Sequence, residues 1–169
     1  MSKTNSLHDR DKSFGWISIG LHWFATLAII LLWFIGQSID SVPAEQFDAR
    51  RSLHITIGLI AWLPLLARIL WRIKSRHPHV AGQTLMTHRL AKAAHYFMLA
   101  VLGLLMLSGP FMAWTLTEGS ELRETAFLFH AKAALAMAVL VVLHILAAMK
   151  HLMFHDDETI ARIFVPRKD

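Results

Sequence analysis

Phe129-His130-Ala131-Lys132-Ala133-Ala134-Leu135-Ala136-Met137-Ala138 opens a stretch that Val142-Leu143-His144 closes, and its two histidines stand fourteen residues apart. From Thr125 to Met149, Lys132 is the only charge. A run of that length and composition is long enough for a membrane-spanning helix, which needs about 20 apolar residues. At about 100° and 1.5 Å per residue, His130 and His144 return to nearly the same face, roughly 21 Å apart along the axis. One histidine then sits near each side of the hydrocarbon layer, and both point the same way. Ionisable side chains are costly inside a membrane and mark a functional site unless packing explains them.

Three further uncharged runs surround this one: between Lys12 and Asp40, between Arg51 and Arg68, and between Lys92 and Glu118. The second reaches spanning length only if Arg68 is counted inside it, out to Trp71. Spanning β-strands would be about half as long and would alternate in polarity, which these runs do not. The expected fold is therefore all-α: an integral membrane four-helix bundle in one domain, residues 1–169, with helices near 14–37, 52–73, 91–115 and 126–153. Pro64 and Pro110 fall inside the second and third runs, where neighbouring helices can re-satisfy the carbonyls a proline frees. The first run is read as a retained helix, because Gly36-Gln37-Ser38-Ile39 lacks an A-x-A-like cleavage site.

Composition agrees. The chain is 55% hydrophobic and 17% charged, so most of it cannot be a solvated surface. With no cysteine, disulfides, iron–sulfur clusters, covalently attached c-type haem and thiolate zinc sites are excluded. A net charge of +5 would suggest nucleic acid in a soluble chain. Here no nucleic-acid partner is expected, because the charge segregates. Lys3, Arg10, Lys12, Arg72, Lys74, Arg76, Arg89, Lys92, Lys150, Arg162, Arg167 and Lys168 fall at one end of the expected bundle. Only Arg50, Arg51, Arg123 and Lys132 fall at the other, among Asp40, Glu45, Asp48, Glu118, Glu121 and Glu124. Twelve against four puts both termini in the cytoplasm by the positive-inside rule.

Eleven histidines are too many to be incidental in such a chain. His8, His77, His79, His88 and His155 lie in expected tails and loops and read as solvated. His22 and His95 lie near the cytoplasmic ends of helices one and three, and His54 near the outer end of helix two. For His130 the only partner at its own depth is His54; for His144 there are two, His22 and His95. Two histidines at one depth on different helices can clamp a haem iron from both faces, so the pattern points to two b haems, one above the other. The plain alternative is histidines that hydrogen-bond across helix contacts. Zinc or copper is disfavoured, because no acidic residue lies inside a span to complete a ligand set. The alanines of helix four would let flat cofactors approach its backbone, and Gly58 removes a side chain one turn from His54. Arg68, fourteen residues after His54, shares its face and lies at the depth of the inner haem. It either meets a haem propionate or snorkels to the headgroups.

Leu21-His22-Trp23, Leu53-His54-Ile55-Thr56-Ile57-Gly58, Arg68-Ile69-Leu70-Trp71-Arg72, Ala94-His95-Tyr96, Ser108-Gly109-Pro110, Phe129-His130 and Leu143-His144 together resemble the bacterial cytochrome b561 family, over about Ser13 to Pro166. The resemblance implies His22 with His144 on the inner haem iron and His54 with His130 on the outer. It implies a multi-pass protein of the bacterial inner membrane that moves electrons to ubiquinone. His151, seven residues beyond His144 and on the same face, matches a position at the family's quinone site. The family includes a superoxide:ubiquinone oxidoreductase, so superoxide is an expected donor. Arg50 and Arg51, about one turn before His54, and Lys132, just after His130, would form an entry for such an anion. The other expectation is a di-haem subunit that serves a separate dehydrogenase or another redox partner protein.

Overall fold

The computed structural model of the chain describes residues 7–10, 13–75, 85–114, 117, 119–154 and 163–166. Within these it holds four long helices: α1 (Trp16–Ser38), α2 (Ala44–Lys74), α3 (Leu85–Trp114) and α4 (Glu121–Phe154), with a 3-10 turn Ile39–Ser41 joining the first two. There is no strand among the described residues. All four helices are long and apolar enough to cross a membrane. Their outer faces say the same. Leu27, Phe34, Ile60, Leu63 and Leu107 are each at least 66% exposed, a breadth of bare apolar surface that water does not tolerate but lipid does.

The helices run past the apolar spans at several ends, because hydropathy marks where a helix meets lipid and not where it stops. Pro43 directly precedes α2, and its carbonyl accepts the amide of Gln46 at 2.8 Å. A proline lacks an N–H and fits the edge of a first turn, so α2 begins at Ala44, eight residues before the expected 52. Helix α4 is started by Ser120, whose Oγ accepts the amide of Arg123 at 3.3 Å. Glu121 and Glu124 lie in the first turn, where negative charge complements the helix dipole. Gly119, at φ 76°, supplies the left-handed residue that lets the chain turn just before this cap.

Helix α1 packs on α2, α3 on α4, and α2 on α3. The buried core lies midway along the bundle: Ala25 and Ala28 from α1, Ala61 and Leu65 from α2, Val101, Leu102 and Met106 from α3, and Met137 from α4. Met137 is 2% exposed and stands seven residues from both His130 and His144. The core therefore separates two histidine layers. Pro110 deprives the Met106 carbonyl of its helical partner four residues on. Trp62 replaces it, its indole N–H donating to that carbonyl at 3.1 Å, which ties α2 to α3.

At the basic end the N-terminal segment folds back into the bundle. Asp9 accepts hydrogen bonds from the Gly15 amide (2.8 Å) and the Ser18 hydroxyl (2.7 Å). Ser18 in turn accepts from the Trp71 indole at 2.7 Å. Arg72, 4% exposed, lies 4.0 Å from Asp9 and over the ring of Phe14. Nearby, the Trp23 indole donates to the Ile163 carbonyl at 2.9 Å, and its ring meets Phe164.

Candidate functional site: two histidine layers

The same fourteen-residue step recurs on every helix. It joins His22 to Gly36 on α1, His54 to Arg68 on α2, His95 to Gly109 on α3 and His130 to His144 on α4. Fourteen residues are close to four turns, so each pair shares a face. The antiparallel bundle then assembles two layers. Gly36, His54, Gly109 and His130 form one; His22, Arg68, His95 and His144 form the other, at the basic end.

In the first layer His54 faces His130 with ring centres 6.4 Å apart at 88°. In the second, His22 faces His144 at 6.3 Å and 57°. Two imidazoles bound to opposite sides of one metal, with metal–nitrogen bonds of about 2.0–2.1 Å, have ring centres about 6.4 Å apart. Both pairs meet that spacing. His95 approaches His144 to 5.1 Å, edge to face, too close to admit a metal between them. Its Nδ1 donates to the Ala91 carbonyl at 2.7 Å, so the ring is held against its own helix. Of the two histidines at this depth, His22 is therefore the one that faces His144 across the bundle at the wider spacing.

Glycines line the first layer. A Cβ on Gly36 would stand 3.3 Å from Cε1 and 3.5 Å from Nδ1 of His54. A Cβ on Gly109 would stand 3.5 Å from Cε1 of His130. The imidazoles therefore lie directly on the backbones of α1 and α3. Gly58, one turn from His54, has only Leu32 near its missing side chain, at 3.9 Å. Gly36 and Gly109 each lie fourteen residues after a histidine on their own helix.

The hydrogen-bond partners differ between the layers. Nδ1 of His130 lies 2.8 Å from the Ser108 hydroxyl. Nδ1 of His54 is buried with no hydrogen-bond partner among the described residues. At the basic end the Arg68 guanidinium is buried, 3.5 Å from His22 Nδ1. One turn further on lies Arg72, whose Nε is buried and unpartnered among the described residues. Two arginines and one described carboxylate, Asp9, therefore face this layer's end of the bundle.

A donor set of imidazoles alone, paired across the bundle with no carboxylate beside them, suits a bis-histidine haem better than a small divalent ion. No cluster of three or more metal-ligand side chains occurs among the described residues. The family model for prokaryotic cytochrome b561 matches residues 13–166. This chain belongs to that family. Membership implies haem b and membrane electron transfer. Among curated relatives, the chain is 27% identical to "Cytochrome b561 homolog 2" of Escherichia coli (strain K12), with 96% of this chain and 95% of that protein covered. It is 22% identical to "Probable superoxide oxidase CybB" of Yersinia pestis, covering 93% and 98%.

The remaining residues singled out from sequence are Arg50, Arg51, Lys132 and His151. Arg50 and Arg51 are half-buried inside α2, one turn before His54. Lys132 is exposed on α4, and two residues past His130 it is turned about 200° from that histidine's face. His151 continues α4, but its side chain lies outside the described residues.

Proposed function

We propose that this chain carries electrons across the bacterial inner membrane through two b haems, from superoxide at the His54–His130 end to ubiquinone at the His22–His144 end. The observation that carries this reading is the pair of imidazole separations, 6.4 and 6.3 Å, in two layers on opposite sides of one apolar core. When bound, haem iron supplies a one-electron couple that no side chain here offers. His54 with His130 would hold one haem, and His22 with His144 the other. A ring that ligates through Nε2 carries its proton on Nδ1. His22 in that form has no lone pair for Arg68, whose guanidinium can only donate; Arg68 would then be available to pair with a propionate of the bound haem.

The electron balance is simple. Two superoxide anions each give up one electron and leave as dioxygen. Ubiquinone takes up two electrons and two protons to become ubiquinol. Arg50 and Arg51 draw the anion toward His54, with Lys132 adding to the field at longer range. Steering of this kind raises on-rates by about 10–10³ and weakens with salt. The positive-inside rule sets the basic end, with both termini, in the cytoplasm. There His151 would donate a proton to a quinone oxygen. The relative whose name includes superoxide oxidase supports this choice of donor.

The test begins with a pyridine haemochrome assay, which should give two haems b per chain; one or none overturns the reading. Purified protein is then pulsed with superoxide at low and high salt, with and without ubiquinone. Fast haem reduction that slows in high salt and in Arg50→Ala/Arg51→Ala is the expected result. Reduction at no more than the background rate would refute the superoxide donor and leave a di-haem carrier for another redox partner.

A further inference from the structure

The hydroxyl of Ser108 touches three acceptor-capable atoms. It lies 2.7 Å from the Leu104 carbonyl oxygen, 3.4 Å from the Leu105 carbonyl oxygen and 2.8 Å from Nδ1 of His130. A hydroxyl has one hydrogen and two lone pairs. Two oxygens 2.7 Å apart must have a hydrogen between them, because a carbonyl cannot supply one. The Ser108 hydrogen therefore points along its own helix to Leu104, a common back-bond for a helical serine. Only a lone pair is left for His130, so Nδ1 carries the hydrogen and donates it. In a neutral imidazole the remaining lone pair is then on Nε2.

We propose that Ser108 is the positioning residue that fixes the tautomer of His130 and lowers the potential of the His54–His130 haem. This rests on the reading of those histidines as haem ligands. An imidazole whose N–H is held by an acceptor is a stronger ligand base, and it favours the more positive, oxidised iron. Ser108 is the side chain that orients His130 in this layer, whereas His54 faces the backbone of α1 near Leu32. Among the described residues the other layer has no hydroxyl in this role: there His22 Nδ1 faces the buried Arg68 guanidinium at 3.5 Å, a donor that cannot accept its hydrogen.

The test is an optical redox titration of purified di-haem protein, with haem release to an excess of apomyoglobin as a second readout. Three variants are compared. Ser108→Ala removes the acceptor; Ser108→Cys keeps the shape with a weaker one; Ser108→Thr keeps the hydroxyl. In Ser108→Ala one of the two waves should rise while the other stays in place. Release of one haem should quicken by about 10- to 100-fold, the usual cost of losing an outer-sphere hydrogen bond to a histidine ligand. Ser108→Cys should fall between, and Ser108→Thr should match wild type. Unchanged waves in Ser108→Ala and Ser108→Cys would overturn the proposal, as would equal shifts of both waves. Fewer than two haems in wild-type protein would instead overturn the ligand assignment on which it stands.

Discussion

Replacing Gly36 by alanine puts the histidine layers to a test in which two effects have opposite signs. The added Cβ would stand 3.3 Å from Cε1 and 3.5 Å from Nδ1 of His54. The first distance is a few tenths of an ångström shorter than comfortable carbon–carbon contact. His54 cannot retreat freely, because its partner distance to His130 is already that of a bridged pair, 6.4 Å between ring centres. Metal–ligand bonds tolerate only about 0.2 Å of error. An overpacked methyl costs about 1–3 kcal/mol, which at a binding site is about 5- to 150-fold in affinity for the His54–His130 haem. The helix itself prefers the change, since alanine exceeds glycine in helix propensity by about 1 kcal/mol. The haem-free protein should therefore melt no lower than wild type, while one of the two haems is lost faster to apomyoglobin. The control is Gly109→Ala, whose Cβ meets His130 at an ordinary 3.5 Å and should change release by no more than about threefold. Wild-type release kinetics in Gly36→Ala, or loss of both haems at equal rates, would refute the argument that α1 backbone and His54 share one tight seat.

Three further outcomes follow from the same geometry. His130→Ala should yield protein retaining the His22–His144 haem, and His144→Ala protein retaining the His54–His130 haem. Distinct residual spectra check this, and either variant keeping both haems contradicts the pairing. His151→Ala should slow ubiquinone reduction by about 10²-fold, the lower range for a lost proton donor, without altering haem content; a wild-type rate in stopped-flow assays excludes the role. Asp9→Asn should lower the apparent melting temperature in detergent, because it leaves the buried Arg72 without its carboxylate. At the long 4.0 Å separation a loss of about 2–4 kcal/mol is expected, toward the low side for a broken buried pair. An unchanged melting curve would show the N-terminal fold-back to be energetically idle.

Much of this was legible in the sequence because a membrane restricts what a chain can be. With no water to satisfy backbone groups, each long uncharged run has to be helix, and depth follows from position along it. His54 and His130 therefore fall at one depth by their positions along their runs. Helix starts were less legible, since Pro43 and Ser120 set them outside the apolar spans, where hydropathy is silent. Which glycine lies under a ring was not legible either: the one beneath His54 is Gly36, on a different helix.

The sequence by itself determined the four apolar helices, the end where basic residues gather and the depth of each histidine, because all three depend only on local composition and a fixed rise per residue. What the tertiary structure decided are the relations between helices. It set His22 across from His144 at 6.3 Å and His95 too near at 5.1 Å. It brought Ser108 to His130, Gly36 to His54 and Asp9 to Ser18. Such contacts depend on how each helix is rotated about its axis and on which neighbour it packs against. Those two quantities are fixed by side-chain packing across the whole bundle, and no single run of residues encodes them.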